Sequence, residues 1–136
     1  MVSNNKQIRV LRNQCPFTLQ GGKQDVKVAE QSPRICKDGS IRWYAGDTFV
    51  LTLVFNITDE SGNPMDVSDD DSILVYFQDY RSVPVVSFTS NGSTTIDINM
   101  DKEKTKHMKE GLYTLHAKFN GKFVTTLLHN NKVVVE

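Results

Sequence analysis

Three histidines and 16 carboxylates are the side chains best suited to acid–base chemistry in this chain. General acid–base or nucleophilic catalysis needs two or three such groups held within hydrogen-bond reach of one another. His107, His116 and His129 fall in three different segments. His116 lies on the polar side of an alternating stretch and His107 in a helix-forming one, so both read as solvated or hydrogen-bonded surface groups. No Gly-x-Ser-x-Gly elbow, phosphate-cradling glycine loop or His-Glu-x-x-His helix occurs. The expectation is a protein that is not an enzyme and carries no cofactor.

Asp66, Asp69, Asp70 and Asp71 are the sharpest local cluster. Hard oxygen ligands crowded on one loop suit Ca²⁺, with Asp66, Asp69 and Asp71 as the candidate set and Asp59 and Asp79 in neighbouring turns. The alternating Asp-x-Asn-x-Asp-Gly order that aims successive oxygens at one ion is absent, so the reading is a solvated acidic loop with no metal. Among the aromatics, Trp43, Tyr44 and Tyr80 are placed in loops and could stack on sugars. Tyr76 and Tyr113 fall inside strands. Packing of the N-terminal segment explains Trp43 and Tyr44 equally well. Cys15 and Cys36 have no histidine at metal spacing and read as small buried residues. A disulfide between them is disfavoured by the cytoplasmic synthesis expected from the first ten residues, which lack the apolar stretch of a secretory signal. Asn56-Ile57-Thr58 and Asn91-Gly92-Ser93 match the glycosylation sequon, which acts only in a secretory pathway.

The elements that must position these residues are mostly strands. Phe49, Leu51, Leu53, Phe55 and Ile57 recur at period two, followed by the turn signal Asp59-Glu60-Ser61-Gly62-Asn63-Pro64. Ile73 to Gln78 is apolar on both sides and reads as a central strand; Val83 to Phe88 and Thr94 to Met100 follow, separated by Asn91-Gly92. Asp101 to Lys109 is the one helix-forming segment, with Asp101 as its N-cap and Gly111 as its stop. Tyr113 to Phe119 and Lys122 to Leu128 read as a hairpin around Asn120-Gly121, and His129-Asn130-Asn131 as a turn before a last strand, Lys132 to Val135. About seven strands in residues 47–136, spaced by turns, predict an all-β fold: an immunoglobulin-like β-sandwich with one short helical link. A partly open barrel is the alternative.

Residues 1–46 read as an N-terminal extended arm. Gln7 to Arg12 suits a strand, and Pro and Gly then interrupt at short intervals. The arm either adds a strand to the sandwich or docks on a neighbouring subunit, with Trp43 and Tyr44 pinning it. The 136 residues suffice for one domain with its own core, and no run of 18 apolar residues suggests a membrane span. The formal charge of zero argues against a free-standing nucleic-acid binder. That neutrality is a cancellation, because residues 1–46 carry a net +5 and residues 47–136 a net −5.

From Gly46-Asp47-Thr48-Phe49 onward, the order of these motifs resembles the small immunoglobulin-like proteins of bacteriophage tails and baseplates, including the N-terminal domain of baseplate upper proteins. The matching features are the long strand after Gly46, the Asp59 to Pro64 turn, Met65-Asp66-Val67 leading to Ile73, the helical link after Met100, and Gly111-Leu112-Tyr113-Thr114-Leu115 before Asn120-Gly121. The acidic Asp69-Asp70-Asp71 is longer than the family's link, and the 46-residue leader lies outside the shared pattern. The resemblance implies a virion structural protein, assembled in the host cytoplasm, forming homo-oligomers and packing on other virion proteins. Capsid decoration and carbohydrate-binding adhesion are the alternatives. On this reading the interaction residues are Arg9, Arg12, Arg34, Arg42, Trp43 and Tyr44 on the basic arm, and Asp69, Asp70, Asp71 and Tyr80 on the acidic domain. A basic arm against an acidic loop suits head-to-tail association.

Overall fold

Period-two patterning dictates strands, and a computed structural model of the chain shows an all-β sandwich with, among the described residues, one short helix. It describes residues 6–10, 13–14, 32–58 and 61–136, the first two segments by their backbone. The strands are β1 (Lys6–Val10), β2 (Asn13–Gln14), β3 (Arg34–Ile35), β4 (Ile41–Trp43), β5 (Phe49–Ile57), β6 (Ser72–Gln78), β7 (Pro84–Asn91), β8 (Thr95–Met100), β9 (Gly111–Asn120) and β10 (Val124–Val135); α1 is Lys102–Thr105. One sheet has the order β1-β5-β8 and the other β2-β3-β4-β10-β9-β6-β7.

The alternation read from the sequence is the alternation of burial. In β5, Leu51, Leu53, Phe55 and Ile57 are buried, and β8 sets Ile98 opposite Leu51 and Ile96 opposite Leu53. The large sheet answers with Ile73, Val75 and Phe77 of β6, paired in register with Phe119, Ala117 and Leu115 of β9. Removing each such side chain from water contributes about 1.5–3 kcal/mol, which makes this shared inner layer the main stabilising element. The central placement expected for Ile73 to Gln78 holds, since β6 lies between β7 and β9.

Three boundaries differ from the sequence reading. First, residues 32–46 belong to the domain: β4 runs parallel to the end of β10, Val133↔Ile41 to Val135↔Trp43, and buries Ile41 and Trp43 in the common core. Upstream, β1 pairs antiparallel with β5 from Lys6↔Ile57 to Val10↔Leu53, so that stretch adds a strand to its own sandwich. Second, His129-Asn130-Asn131 is no turn between strands. Both halves of β10 stay on β9, and register shifts between Thr126 and Asn131 absorb the extra residues, with Asn130 at φ 55°. The left-handed conformation that Asn tolerates serves a bulge as readily as a reversal. Residues 47–136 therefore hold six strands rather than seven. Third, the helix is a single turn. Asp101 caps it as expected, accepting from Lys104 N at 3.1 Å, but the chain leaves the helix after Thr105 and buries Met108.

Candidate functional site

Each candidate group is placed by the strand or turn that carries it, and most are occupied by structural work. Asp71 sits at the head of β6 and points inward, 7 % exposed. Its Oδ2 accepts from Ser68 N at 3.0 Å and Ser68 Oγ at 3.2 Å, closing the turn before the strand. Gly92 N donates to the Asp71 carbonyl at 3.0 Å. A Cβ on Gly121 would lie 2.0 Å from Asp71 Oδ1, so that hairpin residue must lack a side chain where it crosses the loop. Asp66, Asp69 and Asp70 are exposed on the loop's outer side. Among the described residues no three His, Cys, Asp or Glu side chains converge on a metal-sized site. The Ca²⁺ set Asp66, Asp69 and Asp71 is thus not assembled, because Asp71 faces its own backbone while the other two face water. Asp71 is likewise corrected as an interaction residue; Asp69 and Asp70 remain available.

The aromatic set also separates. Trp43 is 0 % exposed, 5.0 Å from Phe49 and edge-on to Phe77 at 5.7 Å between ring centroids, so it is core and cannot stack on a sugar. Tyr44 is half-buried beneath the Arg34 guanidinium, 5.1 Å from ring centroid to Cζ. Arg34 itself is 2 % exposed and forms an ion pair with Glu136 of the same chain. This corrects its reading as a surface contact for an acidic loop. Arg42 is half-buried and its Nε donates to Ser40 Oγ at 3.2 Å. Arg9 lies in β1, and Arg12 lies outside the described residues. Cys36 is disulfide-bonded, against the reading of two free thiols. It directly follows Ile35, whose partner on the parallel ladder is Gln14; the next residue there, Cys15, lies outside the described residues.

Tyr80 alone keeps an exposed ring, at 84 %. It tops the β6–β7 turn beside an open groove of about 370 Å³, whose other wall is the segment from Lys106 to Tyr113. The polar groups of this groove answer one another. Asp79 accepts from Arg81 N at 2.8 Å and Val83 N at 3.1 Å through Oδ1, and from the Arg81 guanidinium at 3.0 Å through Oδ2. Burial opposes ionisation of Asp79, yet these backbone and side-chain donors hold its carboxyl below the usual range. Burial, reinforced by the Asp79 charge, raises the Tyr113 hydroxyl, which donates to the Lys109 carbonyl at 2.8 Å.

His116 is the one histidine whose surroundings the sequence misread. It is 4 % exposed, stacked on Tyr76 at 5.0 Å with 6° between planes and edge-on to His129 at 5.3 Å. Its Nδ1 accepts from Asn130 N at 3.4 Å, so Nε2 carries the proton and donates to Thr114 Oγ1 at 2.8 Å. Burial, then the nearby His129, lowers its pKa and keeps the ring neutral. Thr114 and Asn130, missed in the sequence, are the partners that make this a structural latch on the β10 bulge. Only the long-range register of β9 and β10 brings them there. With the geometry established, comparison with known proteins adds nothing: no family model, curated protein or solved structure matches the chain.

Proposed function

We propose that this chain is a non-enzymatic virion structural protein, an immunoglobulin-type module of a phage tail or baseplate that works by packing against other proteins. The observation that carries the reading is the use of the N-terminal stretch. Lys6–Val10 completes the small sheet and Asn13–Gln14 extends the large one, so the chain builds its own sheets by strand addition, the backbone pairing that this reading assigns to its contacts with neighbours as well. Several groups that could have made a reacting centre, Asp71, Asp79, His116 and Arg34 among them, are engaged with neighbouring side chains or backbone. Asp69, Asp70 and the Tyr80 ring are exposed and remain available as contacts.

Burial of Trp43 and Tyr44 removes the aromatic pair that favoured sugar binding, which leaves protein surfaces as the partners this reading requires. Cryo-electron microscopy and mass spectrometry of purified particles from the encoding virus test it. The expected result is this chain in many copies in the tail or baseplate. A position on the head would replace the reading by capsid decoration, and absence from the particle would overturn both.

A further inference from the structure

A sheet edge exposes a row of unpaired N–H and C=O groups, and proteins that stay apart guard such edges with brevity, charge or a covering element. Among the described strands the sandwich has four. β2 is two residues long. The five residues of β1 include Lys6 and Arg9. β8 carries Asp97 at its middle and runs directly into the Asp101-capped turn of α1. β7 carries only Pro84, its first residue, and the register shift beside it as guards; the residues that follow have none. The strand is eight residues long and lies within the longest uncharged run of the chain, Ser82 to Ile96. β6 pairs with one side of it, and no described strand pairs with the other. Lys104 approaches only the inner rim, its ammonium 5.1 Å from the Phe88 ring centroid and paired with Asp101.

We propose that β7 is the interface between two copies of this chain, pairing antiparallel with its own counterpart across a two-fold axis so that the large sheets of both copies become one. The inference rests on the packing role proposed above and names its partner. A second copy fits for three reasons. The neutral strand meets an equally neutral strand, with no repulsion. Its solvent-side residues Ser87 and Thr89, opposite Tyr76 and Leu74 of β6, are small hydroxyls of the kind that pair favourably across strands. Finally, the other edges are guarded, so an isologous pair consumes the single open edge of each copy and closes at two, where a head-to-tail contact would propagate.

Sedimentation velocity of the purified full chain over a concentration series tests this. The wild type is expected to form a two-chain species. Ser87→Lys with Thr89→Lys is expected to weaken the dimer at least ~10-fold through like charges facing each other across the axis, with the circular dichroism and melting temperature of the monomer unchanged, because both positions face solvent. Mixing that variant with Ser87→Glu/Thr89→Glu is expected to restore pairing as a heterodimer, as only strand-on-strand contact across the same edge allows. Asn99→Lys on β8 is expected to leave the dimer intact. A wild type that stays monomeric, or a lysine variant that dimerises undiminished, overturns the pairing. Because the readout needs no virion, a monomer still found in particles overturns this inference and leaves the structural role standing. A dimer absent from particles supports the pairing and removes that role.

Discussion

The two flanks of the sandwich handle the same problem in opposite ways. On the β4 flank, the large sheet ends in three short strands, two of them drawn from residues before 40, and the terminal residue of β10's run is tied back: Ala45 N donates to the Glu136 carbonyl at 2.9 Å and Glu136 N to the Trp43 carbonyl at 2.8 Å. On the β7 flank, the sheet stops at a long neutral strand, with one helical turn lying beside the gap between the sheets. A flank closed by the chain's own segments is committed to stability. One left open with its charge removed is the edge that the proposed two-fold pairing uses. The difference also explains why the basic arm and acidic domain need not meet between subunits. Part of the arm's charge, Arg34, is answered within its own chain by Glu136.

The largest effect that could break this comparison is expected at Trp43. Trp43→Ala empties the space between Phe49 and Phe77 and removes the residue that seats β4 on β10, at an expected cost of about 3–5 kcal/mol in denaturant unfolding. A loss below about 1 kcal/mol would mean that β4 is an appendage and the closed flank no part of the core. The open flank is expected to give a smaller response. Asp101→Ala deletes the carboxylate that accepts from Lys104 N and pairs with the Lys104 ammonium, with an expected loss of stability several-fold smaller than that of Trp43→Ala. If the helical turn merely lies beside β7, dimerisation should be unaffected by this change. A dimer that dissociates with the cap would place the contact on α1 instead.

How much of this the sequence disclosed depends on the range over which each feature is determined. β5 was legible to the residue, Phe49 to Ile57, because nine alternating positions fix a face without help from elsewhere. The Asp101 cap and the glycine turns were legible for the same local reason. Trp43 was not, since Ile41-Arg42-Trp43 is too short to show a period and its burial depends on a parallel ladder with residues ninety positions away. The same holds at Asp71, whose carboxylate fills the space a Cβ on Gly121 of the β9–β10 hairpin would take and whose carbonyl accepts from Gly92 N in the β7–β8 crossover. β7 lay in plain view as an uncharged run, but charge absence becomes a signal only once the strand is known to be an edge.

The smallest expected effect separates both flanks from the middle of the sheet. His116 has a folded pKa depressed below its ordinary value of 6.5, by burial first and by His129 second. His129 and Lys132 on β10 and Lys118 on β9 are its neighbours along the two strands, β6 contributes Tyr76, and Asp38 lies within electrostatic reach of Lys132 and Arg42. A depressed histidine pKa means that the unfolded chain takes up the proton first, so stability is full above pH 6.5 and declines as pH falls from there to the folded value. In the charged ring Nδ1 would also become a donor facing the Asn130 N–H, setting donor against donor at the bulge. Asp79 and Asp101 on the open flank are depressed carboxylates, whose contribution stays intact above their ordinary 3.8 and is lost only as pH falls through their lower folded values. As pH falls below 6.5, then, unfolding measurements should show a shallow loss that His116→Gln flattens. Asp101→Ala should leave that slope in place. A slope that survives His116→Gln would mean that the β10 bulge owes nothing to a neutral ring.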